Sequence, residues 1–421
     1  MQSGVIASRH EIKVIDAIAD KLNISETIEK VVEFAPAAIL AVSSIISLKE
    51  DIEFFGLCKK KSHAKIIASG DVFYFNTDEA IKLPQIDAIL MNYSSLDILQ
   101  YLEKKDDSLG KIPNVIYKSK GKAIVGNSVR PKTFAIPNPR HGLFPLNRYK
   151  MPFMRHSPFA SVTTSFGCPF RCSFCPMGSV IYIERDMANI FEEFDDLKKS
   201  GIREIWFRDL TFSANMKRAK DLCREMIRKK YDFSWSCENR VDTVDDELLG
   251  LMKESGCHTI MFGVESGSDE ILKKTMKNIS KEKIKHVFRR CRELKVQTLA
   301  HFILGLPQDT KNTVDDTVAF ITELDYDYLS LNMFSPRYGS PLSESIIGKQ
   351  NILSLKESFD SANTDKSYCS VSCEDLHRSR RKALLKFYLN PKTVMRLLAR
   401  VKSWTQFKQL VRNAIGLISR R

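Results

Sequence analysis

Three cysteines fall within SVTTSFGCPFRCSFCPMG, spaced Cys168-x3-Cys172-x2-Cys175. Three thiolates this close on one loop suit a soft metal. A closed structural zinc site takes four protein ligands, and no fourth Cys or His sits nearby. On an iron–sulfur cubane, three protein ligands leave one iron open to a small molecule, which makes such a cluster reactive. The alternative is three structural or chance cysteines. The other seven cysteines stand apart, and isolated cysteines usually serve as small buried hydrophobes. Cys369 and Cys373 (CSVSC) read as ordinary thiols, because two ligands do not make an auxiliary cluster site.

The elements around this loop explain its placement. Strand-like segments recur at 161–165, 204–208, 234–238, 259–265, 298–304 and 328–334, with helices between them. The clearest helix spans 216–230, where Ala219, Leu222, Cys223, Met226 and Ile227 form one apolar stripe. Gly201 and Gly256 stand where helices should end. Six β/α units predict a partial (β/α)6 TIM-like barrel, and chemistry in parallel barrels sits at the carboxyl ends of strands. The cysteine loop leaves the first of them.

CPFRCSFC resembles the C-x3-C-x2-C signature of the radical S-adenosylmethionine superfamily, including the aromatic Phe174 before the last cysteine. The resemblance implies a [4Fe–4S] cluster on Cys168, Cys172 and Cys175. It further implies S-adenosylmethionine on the open iron, a 5′-deoxyadenosyl radical, and an external one-electron donor of flavodoxin or ferredoxin type. IMFGVESGSDEIL resembles the superfamily's fourth-strand motif, in which Glu265 and its neighbours Gly263 and Ser266 face S-adenosylmethionine. Gly263 and Gly267 would let backbone approach a ligand closely. FRDLTFS sets Asp209 at the end of the second strand, and the resemblance implies that Asp209 and Phe174 also contact S-adenosylmethionine. CENRVD sets Arg240 at the end of the third, where a guanidinium could clamp the methionine carboxylate. HFILGLPQDT and SPRYGSPL resemble the segments that line the adenine.

Residues 1–130 alternate apolar strands (11–16, 37–43, 65–69, 86–91) with helices at 25–34, capped by Ser25, and at 96–104, and close with a hairpin at 114–126. That pattern predicts a doubly wound α/β domain. A Pro-rich crossing, 131–158, separates it from the barrel at 159–344, and a basic helical region follows at 345–421. This layout resembles the cobalamin-binding-domain members of the superfamily, with a truncated Rossmann-like (B12-binding-type) domain that lacks its first strand. In a 2-1-3-4-5 strand order that absence should leave an empty slot unless other residues fill it. Ser43, Ser44 and Gly70, at strand ends, become the candidate cobalamin contacts. The turn after the fifth strand reads NYSS where the resemblance expects an acidic Gly-Glu turn, and no Asp-x-His-x-x-Gly motif supplies a cobalt ligand. A domain retained only to support the barrel is the alternative.

Of the net charge of +14, thirteen Lys and Arg fall between Leu376 and Arg421 with no acid among them. A solvated helical face is one reading, and peripheral contact with an anionic surface is the other. The 383–418 stretch reads as a helix that could lie on a membrane, cover an apolar substrate or cap the barrel. No run long enough to span a membrane and no signal peptide appears, so a cytoplasmic protein is expected. There is no specific nucleic-acid motif.

The expected reaction is cobalamin-dependent methylation of an unactivated carbon in a small-molecule, natural-product or lipid-like substrate. A radical oxidoreductase or cyclase is the runner-up. A tRNA methylthiotransferase fits less well, since residues 1–130 contain only Cys58. A non-catalytic iron–sulfur sensor or binding protein is the alternative from another class.

Overall fold

The computed structural model describes residues 1–103, 110–127, 129, 131–348 and 364–398. They divide into two compact units. One comprises Met1–Gly167, Val180–Ile205 and the described residues of Ser343–Ser358. The other comprises Cys168–Ser179, Trp206–Leu342 and the described residues of Phe359–Arg421.

The first unit holds a five-stranded sheet of β1 (Ala38–Val42), β2 (Lys65–Ser69), β3 (Ala88–Leu90), β4 (Val115–Ser119) and β5 (Lys122–Val125), in that order. The pairs β1–β2 and β2–β3 are parallel, and the 115–125 hairpin adds antiparallel strands. Residues 11–16 join no strand. Asp16 instead caps the short helix Ala17–Asp20, accepting from Ala19 N at 2.9 Å. With that segment outside the sheet, the expected slot does not arise. The sheet's outer edge is β1, where Val42 is 69% exposed. The helix Ile24–Phe34 is capped by Asn23, not Ser25. Asn23 Oδ1 accepts from Glu26 N at 2.9 Å, and Glu26 Oε2 accepts from Asn23 N at 2.8 Å, a reciprocal box that Ser25 cannot form from inside the first turn.

The 131–158 crossing is largely irregular but contributes β6 (Thr133–Phe134). The next strands are β7 (Phe159–Val162), β8 (Ser165–Phe166) and β9 (Ile183–Arg185), and a small sheet has the order β6-β9-β8. The larger sheet continues with β10 (Glu204–Phe207), β11 (Ser234–Asn239), β12 (Cys257–Glu265), β13 (Gln297–Leu304) and β14 (Tyr328–Met333). Its order is β7-β10-β11-β12-β13-β14, six strands as the sequence predicts. The pairs from β11 to β14 are parallel.

The two faces of this sheet differ. Register and the two-residue side-chain period put Ile260, Phe262, Phe302 and Leu331 on one face. All four are buried, and helices Lys281–Glu293 and Lys311–Glu323 cover them, with Phe262 5.3 Å from Phe288 and Phe302 6.5 Å from Phe320. The same registers put Ser236, Glu238, His301, Ser330 and Asn332 on the other face. A parallel sheet buried equally on both sides would read as continuous apolar runs. This face is the more polar of the two, though Met261, Leu299 and Ile303 also lie on it.

The basic helix expected over 383–418 is not one element. A helix spans Cys373–Tyr388, the chain turns at Leu389 and Asn390, and a second helix starts at Pro391 and runs to Leu398. Proline suits a first helical position and not an interior one, so the break falls there. In the first helix Phe387 stacks at 4.6 Å on Tyr326, in the loop before β14, and Arg380 Nε donates to Leu331 O of β14 at 3.2 Å. Residues 399–421 lie outside the described residues, and with them most of the expected membrane-facing stretch.

Candidate functional site

The cysteine loop is tethered on both sides of Ser173. Its N–H donates to Thr275 O, and its carbonyl accepts from Leu342 N, both at 2.9 Å. Cys175 N closes a tight turn on Cys172 O at 3.0 Å. Gly178 lets this turn close, since a Cβ there would stand 2.6 Å from Phe170 O. Cys172 is buried, while Cys168 and Cys175 are partly exposed. Cys168 Sγ lies 3.9 Å from Thr211 Oγ1.

Burial pushes the Cys172 thiol up, and the nearby Lys277 and Arg240 charges oppose it. Burial also pushes Cys175 up, to about 11, eased by the Met177 N–H and reinforced by the other two thiols. Among the described residues, no three His, Cys, Asp or Glu side chains converge as for a single metal ion. A cubane does not ask for that, because each thiolate takes a different iron. Cationic surroundings and three thiols on one ordered loop fit an anionic iron–sulfur group.

Behind Cys172 runs a connected set of charges. Arg240 is 6% exposed, and its Nη1 donates to Cys172 Sγ at 3.1 Å. Its Nε and Nη2 donate to the two oxygens of Asp242 at 2.9 and 2.8 Å, and Nη2 also donates to Lys277 O at 2.7 Å. The guanidinium lies over the Phe170 ring, 4.2 Å from its centroid. Lys277 Nζ in turn pairs with Glu265 Oε1 at 2.9 Å, with both side chains nearly buried.

Glu265 ends β12 in the left-handed region, with φ 69°, and the register to β13 slips between Gly263 and Glu265. A non-glycine residue rarely adopts this conformation, and such residues gather at functional sites. Gly263 leaves room for the Glu265–Lys277 pair, since a Cβ there would stand 2.3 Å from Glu265 Oε1 and 2.7 Å from Lys277 Nζ.

The structure thus draws Cys172, Arg240, Gly263 and Glu265 into one cluster. Asp209 is buried at the end of β10. Phe174 packs beside the apolar group of Ile271, Leu306, Phe334 and Leu342. The Ser266 hydroxyl is engaged locally, 3.1 Å from Thr317 Oγ1 and accepting from Ser268 N at 3.1 Å. Sequence reasoning missed Lys277 and Asp242. Asp242 stands two residues from Arg240 and carried a local signal, whereas Lys277 lies in a motif-free stretch and only the fold brings it in. Cys369 and Cys373 engage their own surroundings, Val371 N donating to Cys369 Sγ at 3.4 Å and Cys373 Sγ donating to Thr364 O at 3.6 Å.

In the first unit, Ser43 N donates to Ser69 O at 2.9 Å, which joins the carboxyl ends of β1 and β2. The Ser43 and Ser47 hydroxyls both donate to Asp51, the latter at 2.7 Å, and Ser44 Oγ lies 3.3 Å from Ser47 Oγ. Gly70, at φ 124°, fits against Ser43, where a Cβ would stand 2.0 Å from the carbonyl oxygen. At these ends Val42, Ile46 and Leu96 are exposed. Large apolar side chains left uncovered at strand ends suit a broad apolar ligand.

The radical SAM superfamily model matches residues 162–321, the span from β7 through β13 and the helix after it. Those residues carry a radical SAM domain. It is 28% identical over 407 residues to an uncharacterized methyltransferase of Pyrococcus horikoshii, covering 94% of this chain and 88% of that one. Solved structures share the fold. The methyltransferase TsrM of Kitasatospora setae, with cobalamin and a [4Fe–4S] cluster bound, superposes with a TM-score of 0.66 at 19% identity, over 82% of this chain and 71% of that one. The cobalamin-dependent radical enzyme OxsB, with aqua-cobalamin and S-adenosylmethionine bound, does so with a TM-score of 0.71 at 16% identity, over 97% and 66%. No helix among the described residues is long and apolar enough to cross a membrane.

Proposed function

We propose that this enzyme is a cobalamin-dependent radical methyltransferase that methylates an unactivated carbon of a small-molecule substrate. The observation that carries the reading is the charge cluster behind Cys172, which joins the cysteine loop to Arg240, Lys277 and Glu265. Loaded with a [4Fe–4S] cluster and S-adenosylmethionine, such a site supplies one-electron cleavage of the sulfonium S–C5′ bond. Cys168, Cys172 and Cys175 would hold the cluster. Glu265, held by Lys277, presents a fixed carboxylate to ribose hydroxyls or an ammonium. The polar sheet face offers the substrate hydrogen-bonding groups, among them Ser236 and His301, whose Oγ and Nε2 are buried with no partner among the described residues. Burial of such groups is costly unless something bonds them. Residues 1–130 are read as the cobalamin-binding-type domain, with the ends of β1 to β3, near Ser43, Ser44 and Gly70, as the cobalamin face. A flavodoxin or ferredoxin would deliver the electron.

Anaerobic reconstitution tests the reading. Expected are a broad absorbance near the visible edge from one cluster, 5′-deoxyadenosine on reduction, retained cobalamin, and a product heavier than substrate by one methylene. A product without that gain points to the oxidoreductase or cyclase, and absence of 5′-deoxyadenosine overturns the proposal.

A further inference from the structure

We infer that Arg240 is a positioning residue for the iron–sulfur cluster, holding the Cys172 sulfur and favouring the reduced state, and does not clamp the carboxylate of S-adenosylmethionine. The inference rests on the reading that the three cysteines carry the cluster. A guanidinium has five N–H donors in a rigid plane, and bidentate capture of a carboxylate needs two parallel ones along one edge. Asp242 takes Nε and one Nη2 hydrogen. The Lys277 carbonyl takes the other Nη2 hydrogen, and Cys172 takes one from Nη1. A single N–H remains, so no edge is free for a second carboxylate. Phe170 against the plane and 6% exposure leave the group little freedom to turn.

What such a group does to a cluster follows from charge. An electron added to the cubane spreads negative charge onto its thiolates. An N–H donor and a positive charge at one sulfur stabilise that added charge and raise the reduction potential. Asp242 reduces the net charge but fixes the fork, so direction of donation, not charge alone, sets the effect. The Lys277 carbonyl ties the same guanidinium to the residue that holds Glu265. One arginine thereby couples cluster sulfur to the carboxylate beside it.

The test is a potentiometric titration of the reconstituted full chain without S-adenosylmethionine, using titanium(III) citrate and electron paramagnetic resonance, on wild type, Arg240→Gln and Arg240→Lys. Iron and sulfide counts come first. Should wild type load no cluster, the functional reading fails and this inference with it. With cluster loaded, Arg240→Gln is expected to lower the ratio of reduced to oxidised cluster at fixed potential about tenfold, or ~59 mV for a one-electron couple. Arg240→Lys, which keeps the charge and loses the fork, should fall between. An altered resonance line shape should accompany both. If Arg240→Gln fails to fold or load, the Arg240→Lys protein decides, and a potential and line shape equal to wild type overturn the inference. Unchanged potential in both variants combined with a many-fold loss of S-adenosylmethionine affinity overturns it in favour of the carboxylate clamp.

Discussion

The carboxyl ends of the parallel strands in the two sheets end in opposite ways. Beyond β1 and β2, the polar groups satisfy one another: Ser43 and Ser47 both donate to Asp51, and Gly70 closes against Ser43. What they leave outward is apolar, in Val42, Ile46 and Leu96. Around β12 the reverse holds. Lys277 and Arg240 are buried cations whose bonds run toward Glu265 and the Cys172 sulfur, with Asp242 as counter-charge. One end is a finished turn with an apolar surface, and the other is a concentrated field at a sulfur. The lesson is that a strand end in an α/β fold is a place for chemistry, and the balance of local partners decides what kind.

The largest break in this contrast should come from Cys172→Ala. Iron content and 5′-deoxyadenosine should fall to background, while the first unit keeps its thermal transition. Next comes Lys277→Met, which leaves the Glu265 carboxylate buried without its cation. Breaking a buried pair from one side costs about 3–5 kcal/mol. Thermal denaturation of the cluster-free protein should show that loss, and the double change Glu265→Gln with Lys277→Met should recover most of it. Gly70→Ala tests the other sheet. The overlap with Ser43 O and the left-handed φ should cost about 1–3 kcal/mol. It should weaken cobalamin retention while cluster loading holds. Ser43→Ala is the smallest, about 1 kcal/mol for one hydroxyl bond. Cobalamin absorbance should persist in that variant if the Ser43 hydroxyl serves Asp51 alone, and its loss would make the hydroxyl a ligand contact.

Much of the fold was legible in the sequence because period and punctuation are local. The strand at 65–69 was readable from its apolar run, and the helix from 216 from its stripe. Segment 11–16 misled because alternation of apolar residues is necessary for a strand and not sufficient, and this one has no neighbour to pair with. Ser25 misled because Asn23 and Glu26 satisfy each other's donors and so set the helix start two residues earlier. The reading of 383–418 failed on a local signal, because Pro391 ends one helix and starts another and weighs more than the surrounding helix formers.

By itself the sequence pointed to the class of chemistry, because C-x3-C-x2-C is a local spacing and it resembles the radical S-adenosylmethionine signature. It also determined that Arg240 and Glu265 end strands of one sheet. Only the tertiary structure decided what those charges do. Lys277 enters from a stretch without a motif, and Arg240 proves committed to Asp242 and Cys172. The reason is physical: the partners of a buried charge are set by which strands lie side by side and how their registers align. Those are long-range facts that no spacing along the chain encodes.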